Sequence, residues 1–137
     1  MDLFNREILS YSISLSPNMK MIDEMLERLF CTREIKKGVI MHSDQGALYQ
    51  SSSYQKNLAD KGIVQSMSRK ATCLDNAVIE NFFGLLKSEM FYGKEFESIE
   101  HFTEELKEYI RYYNEDRIKI KLDGLSPVQY RLTKFAS

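Results

Sequence analysis

The chain of 137 residues carries 19 Lys+Arg against 20 Asp+Glu, a formal charge of −1, and is 43% apolar and 28% charged. That balance excludes a disordered or collagen-like chain, and the length suits one core with no room for two independent domains of ordinary size. The longest uncharged run, residues 8–19, is broken by four serines and Pro17 and is too short and polar to span a bilayer. The first residues lack a basic, then apolar, then small-residue order, so no secretory signal is expected. Cys31 and Cys73 stand far apart with no Cys-x-x-Cys spacing, which suits buried or incidental thiols in a reducing cytosol and not a disulfide or zinc framework. Near-neutral charge also counts against coating nucleic acid by bulk electrostatics.

In chain order, Ile8, Ser10, Ser12 and Ser14 alternate with Leu9, Tyr11 and Ile13, which predicts a strand over residues 7–14. Pro17 and Asn18 open a helix whose apolar stripe is Ile22, Met25, Leu26 and Leu29. A short apolar strand over 39–41 runs into the polar turn His42-Ser43-Asp44-Gln45-Gly46. Ser52 with Gln55 forms a capping box for a short helix that Gly62 closes. Residues 63–67 suit a strand and 68–72 a basic loop. Asp75 or Asn76 caps the next helix, with Ile79, Phe83, Leu86 and Met90 as its buried stripe. Ser98 caps another, striped by Ile99, Phe102, Leu106, Tyr109, Ile110 and Tyr113. Ser126-Pro127-Val128-Gln129 starts a last short helix with a cap serine, a first-turn proline and a reciprocal glutamine. Strands alternating with helices give an α/β class.

The neutral total hides two zones of opposite sign. Residues 89–108 hold seven acids against Lys94 and Lys107, and from Arg111 onward six bases face three acids.

Asp44 ends a strand, where α/β sheets gather ligands, although an Asp in a Gly-containing turn also commonly bonds its own backbone. Glu80 lies near a helix start, where the dipole favours an acid for purely structural reasons. Gly84 and Lys87 follow it on the same face, so a carboxylate, a bare surface and a cation line up as a phosphodiester would need; an exposed face of mixed charge is the plainer reading. With 20 acids in the chain, the spacing of Asp44 and Glu80 proves nothing alone.

Their surroundings carry more. His42-Ser43-Asp44-Gln45-Gly46-x-x-Tyr49, Ser66-Met67-Ser68-Arg69-Lys70 and Asp75-Asn76-Ala77-x-x-Glu80-x-Phe82-Phe83-x-x-Leu86-Lys87-x-Glu89 resemble the integrase core of bacterial insertion-sequence transposases. Tyr112-Tyr113-Asn114 with Arg117, and Leu125-Ser126-Pro127-x-x-Tyr130-Arg131, resemble the closing segment of that family, and Asp2-Leu3-Phe4-Asn5-Arg6-Glu7-Ile8 its turn between the second and third strands. This is the DDE superfamily of retroviral integrases, in the branch whose transposase is made from two overlapping reading frames; the chain resembles its second-frame product. The resemblance covers nearly the whole chain.

The resemblance implies a ribonuclease-H-like α/β fold and DNA transposition by metal-dependent phosphoryl transfer. Residues 1–92 would hold strands three to five and the Glu-bearing helix, and residues 93–137 a C-terminal helical extension with a basic tail. Asp44 and Glu80 would be the second and third carboxylates holding two Mg²⁺ (or Mn²⁺) ions. Lys87, Arg69, Lys70, His42 and Arg117 would contact DNA, the transposon ends and target, and Ser68 would begin the loop beside the site. The family's first Asp lies on its central strand, far upstream of Asp44; Asp2 and Asp23 match no ligand position. The expectation is therefore an N-terminally truncated core with an incomplete mixed sheet lacking its first strands, inactive alone, and marginal or homo-oligomeric or associated with full-length transposase. A non-catalytic remnant that binds DNA weakly is the alternative. The expected location is the bacterial cytoplasm, on the nucleoid when bound to DNA.

Overall fold

A computed structural model describes residues 1–68 and 76–135. Its contacts form two compact units: Ser10–Ala77, and Met1–Leu9 together with Val78–Ser137.

The first of these begins with α1 (Met19–Thr32), started by the Asn18 side chain, which accepts the Met21 amide at 2.9 Å. Ile22, Leu26 and Leu29 are its buried face. β1 (Ile40–Ser43) and β2 (Val64–Met67) pair in parallel, with Ile40 opposite Val64 and Ser43 opposite Met67. A parallel pair needs a crossover, and α2 (Ser52–Asp60) supplies it. Ser51, one residue before the expected cap, accepts the Tyr54 amide and starts α2; Gly62, at φ +70°, ends it. Ile22, Leu26, Tyr54, Leu58 and Ile63 make the core, with Met41 packed against it from β1.

The other unit holds α3 (Ala77–Leu86), a π-helical turn (Lys87–Phe91), α4 (Ile99–Glu115), a 3-10 turn (Ile120–Leu122) and α5 (Pro127–Phe135). Ser98 caps α4 by accepting the His101 amide, as its position predicts. Ser126 and Gln129 exchange the two bonds of a capping box at the start of α5. The buried face of α3 differs from the expected stripe: Phe82 is 5% exposed and Phe83 49%. Both fit helical spacing; Phe82 is chosen because its ring meets Tyr113 edge-on, 4.9 Å between centroids. The π turn was not foreshadowed by any residue pattern. Its closing bond runs from the Tyr92 amide to the Lys87 carbonyl, and Met90 within the turn is buried. At the head of α4, Ile99 is exposed and not part of the buried stripe, which runs through Tyr109, Ile110 and Tyr113.

The strand expected over residues 7–14 does not form. Among the described residues the β1–β2 pair is the only sheet. Side chains take the place of a ladder partner. Asn114 accepts the Ile8 amide at 2.8 Å and donates to the Ile8 carbonyl at 3.0 Å, so its amide group stands in for a peptide. Further on, the Ser10 hydroxyl donates to the Met25 carbonyl, and Arg28 donates to the Tyr11 carbonyl.

Candidate active site

Asp44 directly follows β1, in a turn whose geometry its own side chain sets. One carboxylate oxygen, Oδ1, accepts the Gly46 amide at 2.8 Å. A Cβ at residue 46 would come within 2.9 Å of that oxygen, so glycine is what lets the carboxylate lie against the backbone there. The residue is exposed, and Oδ2 makes no hydrogen bond among the described residues. Asp44 is therefore a turn-former, as a residue of a Gly-containing turn, and its carboxylate is exposed just after the carboxyl end of β1.

The turn is braced from β2. Gln45 donates to the Ser68 carbonyl at 2.9 Å, and the Ser43 carbonyl accepts the Ser68 amide at 2.8 Å. Asn76 donates to the Ser68 hydroxyl at 3.1 Å. Gln50 closes the loop on the Gln45 carbonyl, and Gln65 donates to the Tyr49 carbonyl at 2.7 Å. Burial, and after it the nearby Asp44 charge, push the Tyr49 phenol above its usual pKa. His42 is exposed on β1, its Nδ1 3.0 Å from the Ser66 hydroxyl. Ser68 is buried by this network, and Arg69 and Lys70 lie outside the described residues.

Glu80 sits in the first turn of α3 with its side chain exposed. Phe83, Gly84 and Lys87 continue the same exposed face, and nothing lies within 4 Å of a Cβ built on Gly84. Glu80 and the bare glycine thus lie on α3, and Lys87 follows directly as the first residue of the π turn.

Arg117 is committed to a partner. Its guanidinium grips both Glu89 oxygens, at 2.6 to 3.1 Å, and the Tyr109 hydroxyl donates to Glu89 at 2.9 Å. Arg117 in turn holds the Glu89 carboxyl below its usual range, against the opposing effect of burial. Burial and the Glu89 bond push the Tyr109 phenol well up. Sequence reasoning named Arg117 and quoted Glu89 and missed their pairing, because 28 residues separate them.

Among the described residues no group of three or more His, Cys, Asp or Glu side chains converges to hold a metal ion. Carboxylate oxygens such as those of Asp44 and Glu80 have the hardness Mg²⁺ prefers.

Models of the integrase core domain match residues 1–73 and 80–135. The chain belongs to the integrase core family. Relatives of this core include the putative transposase InsK for insertion sequence element IS150 of Escherichia coli K12, 51% identical over 130 residues. That match covers 95% of this chain and 46% of the relative. An uncharacterized transposase-like protein of Haemophilus influenzae is also 51% identical, over 95% of this chain and 60% of its own length. The transposase for IS904 of Lactococcus lactis is 36% identical, over 94% of this chain and 51% of its own. The chain spans about half the length of the curated relatives it matches. Among solved structures, the catalytic core domain of BIV integrase superposes with a TM-score of 0.66 at 16% identity, covering 90% of this chain and 78% of that one. The integrase core here is therefore ribonuclease-H-like and α/β. No helix among the described residues is long and apolar enough to cross a membrane.

Proposed function

We propose that this integrase core supplies Asp44 and Glu80 as two of three metal-binding carboxylates for phosphoryl transfer on DNA, in transposition, and that alone it transfers strands weakly or not at all. The supporting observation is Asp44 itself: an exposed acid at the carboxyl end of β1, one oxygen fixed by the Gly46 amide and the other without a hydrogen bond among the described residues. Mg²⁺ or Mn²⁺ bound there would supply charge neutralisation for a transferring phosphoryl group. This chain's own contribution is to hold the acid. The turn fixes its direction before any ligand arrives, which limits the entropy lost on binding. Lys87, on the Glu80 face, and His42, beside Ser66, would take phosphate contacts, and Arg69 and Lys70 would extend them. Arg117 enters this reading through Glu89, which neutralises its charge.

A second reading is DNA binding without catalysis, or association with a full-length relative. Strand transfer of a labelled transposon end in Mg²⁺ or Mn²⁺ separates the two. No product is expected from the chain alone. Robust product that Asp44→Asn abolishes would show a complete active site and overturn the expectation of inactivity. Mn²⁺ binding, followed by paramagnetic resonance, should weaken in both Asp44→Asn and Glu80→Gln; if neither variant changes it, the ligand assignment is wrong.

A further inference from the structure

The segment after α4 reverses the usual placement of charged and apolar side chains. Residues 117–121 read Arg117, Ile118, Lys119, Ile120, Lys121. The first two cations turn inward, Arg117 onto Glu89 and Lys119 to a position with Nζ 4.5 Å from the centre of the Tyr113 ring. The isoleucines turn outward: Ile118 is 66% exposed and Ile120 98%. Placing cations against the body of a unit costs desolvation, and placing isoleucines in water forgoes their burial. The segment is also braced. Leu122 is buried, Lys119 bridges Leu125, and the Lys119 carbonyl accepts the Leu122 and Gly124 amides. Asp123 and Gly124, both at positive φ, turn the chain back. Ile120 is thus presented on a fixed tip.

Two occupants suit an apolar tip. A stable protein interface takes about 800 Å² from each partner, of which two isoleucines supply a small share. A base step of duplex DNA accepts a single apolar wedge, provided cations beside it meet the phosphates. Lys121 is that cation: it is exposed and makes no ion pair among the described residues.

We propose that Ile120, flanked by Ile118, is a wedge that presses into a base step of duplex DNA from the minor groove, with Lys121 on the adjoining phosphate. The inference rests on the DNA-acting reading above and adds to it a point of contact away from Asp44 and Glu80. Its test uses the whole chain and a fluorescent duplex with a flexible TA step marked by 2-aminopurine, titrated over a range of KCl concentrations. Ile120→Ser should weaken binding about tenfold at every salt concentration without changing the slope of log K against log salt, because a lost apolar contact releases no counterions. Lys121→Gln should reduce that slope by about 1. The 2-aminopurine signal should rise with the unmodified chain and stay flat with Ile120→Ser. Ile120 has almost no packing to lose, and circular dichroism will confirm that the variant folds. Binding and 2-aminopurine response that Ile120→Ser leaves unchanged would overturn the wedge alone. Loss of a dimer in sedimentation, with DNA affinity intact, would assign the tip to a second copy. Failure of the unmodified chain to bind DNA at low salt would overturn both the wedge and the DNA-acting reading.

Discussion

In the unit Ser10–Ala77, Ile22, Leu26, Tyr54, Leu58 and Ile63 close on one another from two helices and the residue just before β2. In the unit built from Met1–Leu9 and Val78–Ser137, polar pairs tie distant parts of the chain. Glu7, 4% exposed, takes the Arg131 guanidinium at 2.7 Å, and Asn5 donates to Glu7 and to the Pro127 carbonyl. Asn114 brackets Ile8, and Arg117 grips Glu89. Apolar burial is indifferent to direction and to acid; charge-assisted bonds are sensitive to both. The two units should therefore fail under different insults.

The largest effect expected is in the apolar unit. Leu58→Ala removes a fully buried side chain and should cost about 2–5 kcal/mol in urea unfolding, with no dependence on pH between 5 and 8. A cost below about 1 kcal/mol would show that this core is loosely packed. In the unit of Met1–Leu9 and Val78–Ser137, Arg131→Met removes a guanidinium from the buried Glu7 carboxylate and should cost about 1–3 kcal/mol, an amount that shrinks when Glu7 is changed to Gln in the same chain. Independent, additive costs would mean that the pair contributes little.

Titration sharpens the contrast. The folded Glu89 carboxyl lies below its ordinary value of 4.5, so the stability it contributes is present above that value and is lost as the pH falls through the lower folded one. Acid should then loosen α4 and the π turn first, an order that amide exchange measured at pH 5 and pH 3 will reveal. Base should not discriminate. Burial pushes Tyr54 in one unit and Tyr113 in the other up to about 12, so unfolded tyrosine ionises from pH 10 while the folded rings stay neutral, and both units lose stability as pH rises above 10. The smallest effects are at the helix caps. Asn18→Ala and Ser98→Ala should each cost about 1 kcal/mol, equal in the two units because a cap depends only on its own first turn.

The features that could be read from sequence are the ones whose cause lies within a few residues. Asn18, Ser98 and the Ser126–Gln129 pair each satisfy amides no more than three positions away, so their caps are visible in the sequence itself. Asp44 was legible for the same reason, since the residue that holds it is Gly46. The exception is Ser51, displaced by one from the expected Ser52 because adjacent serines are equivalent until the helix chooses its phase. The strand expected at residues 7–14 shows the other side. Its alternation is genuine, but a strand exists only with a partner, and here the groups of Ile8 are taken by Asn114, 106 residues away. Phe82 over Phe83 and the Glu89–Arg117 pair were hidden likewise.

By itself, the sequence determined the helices, their caps, the β1 turn and the family, because local amides, helical period and ordered motifs are properties of neighbours along the chain. Only the tertiary structure decided which cations are spent on internal acids and which apolar side chains remain in water. Arg117 and Lys121 are both bases in one basic tail, yet one closes on Glu89 and the other is left exposed beside Ile120. That division depends on which surfaces meet through space, where the gain of a paired charge outweighs its desolvation at one position and no partner arrives at the other.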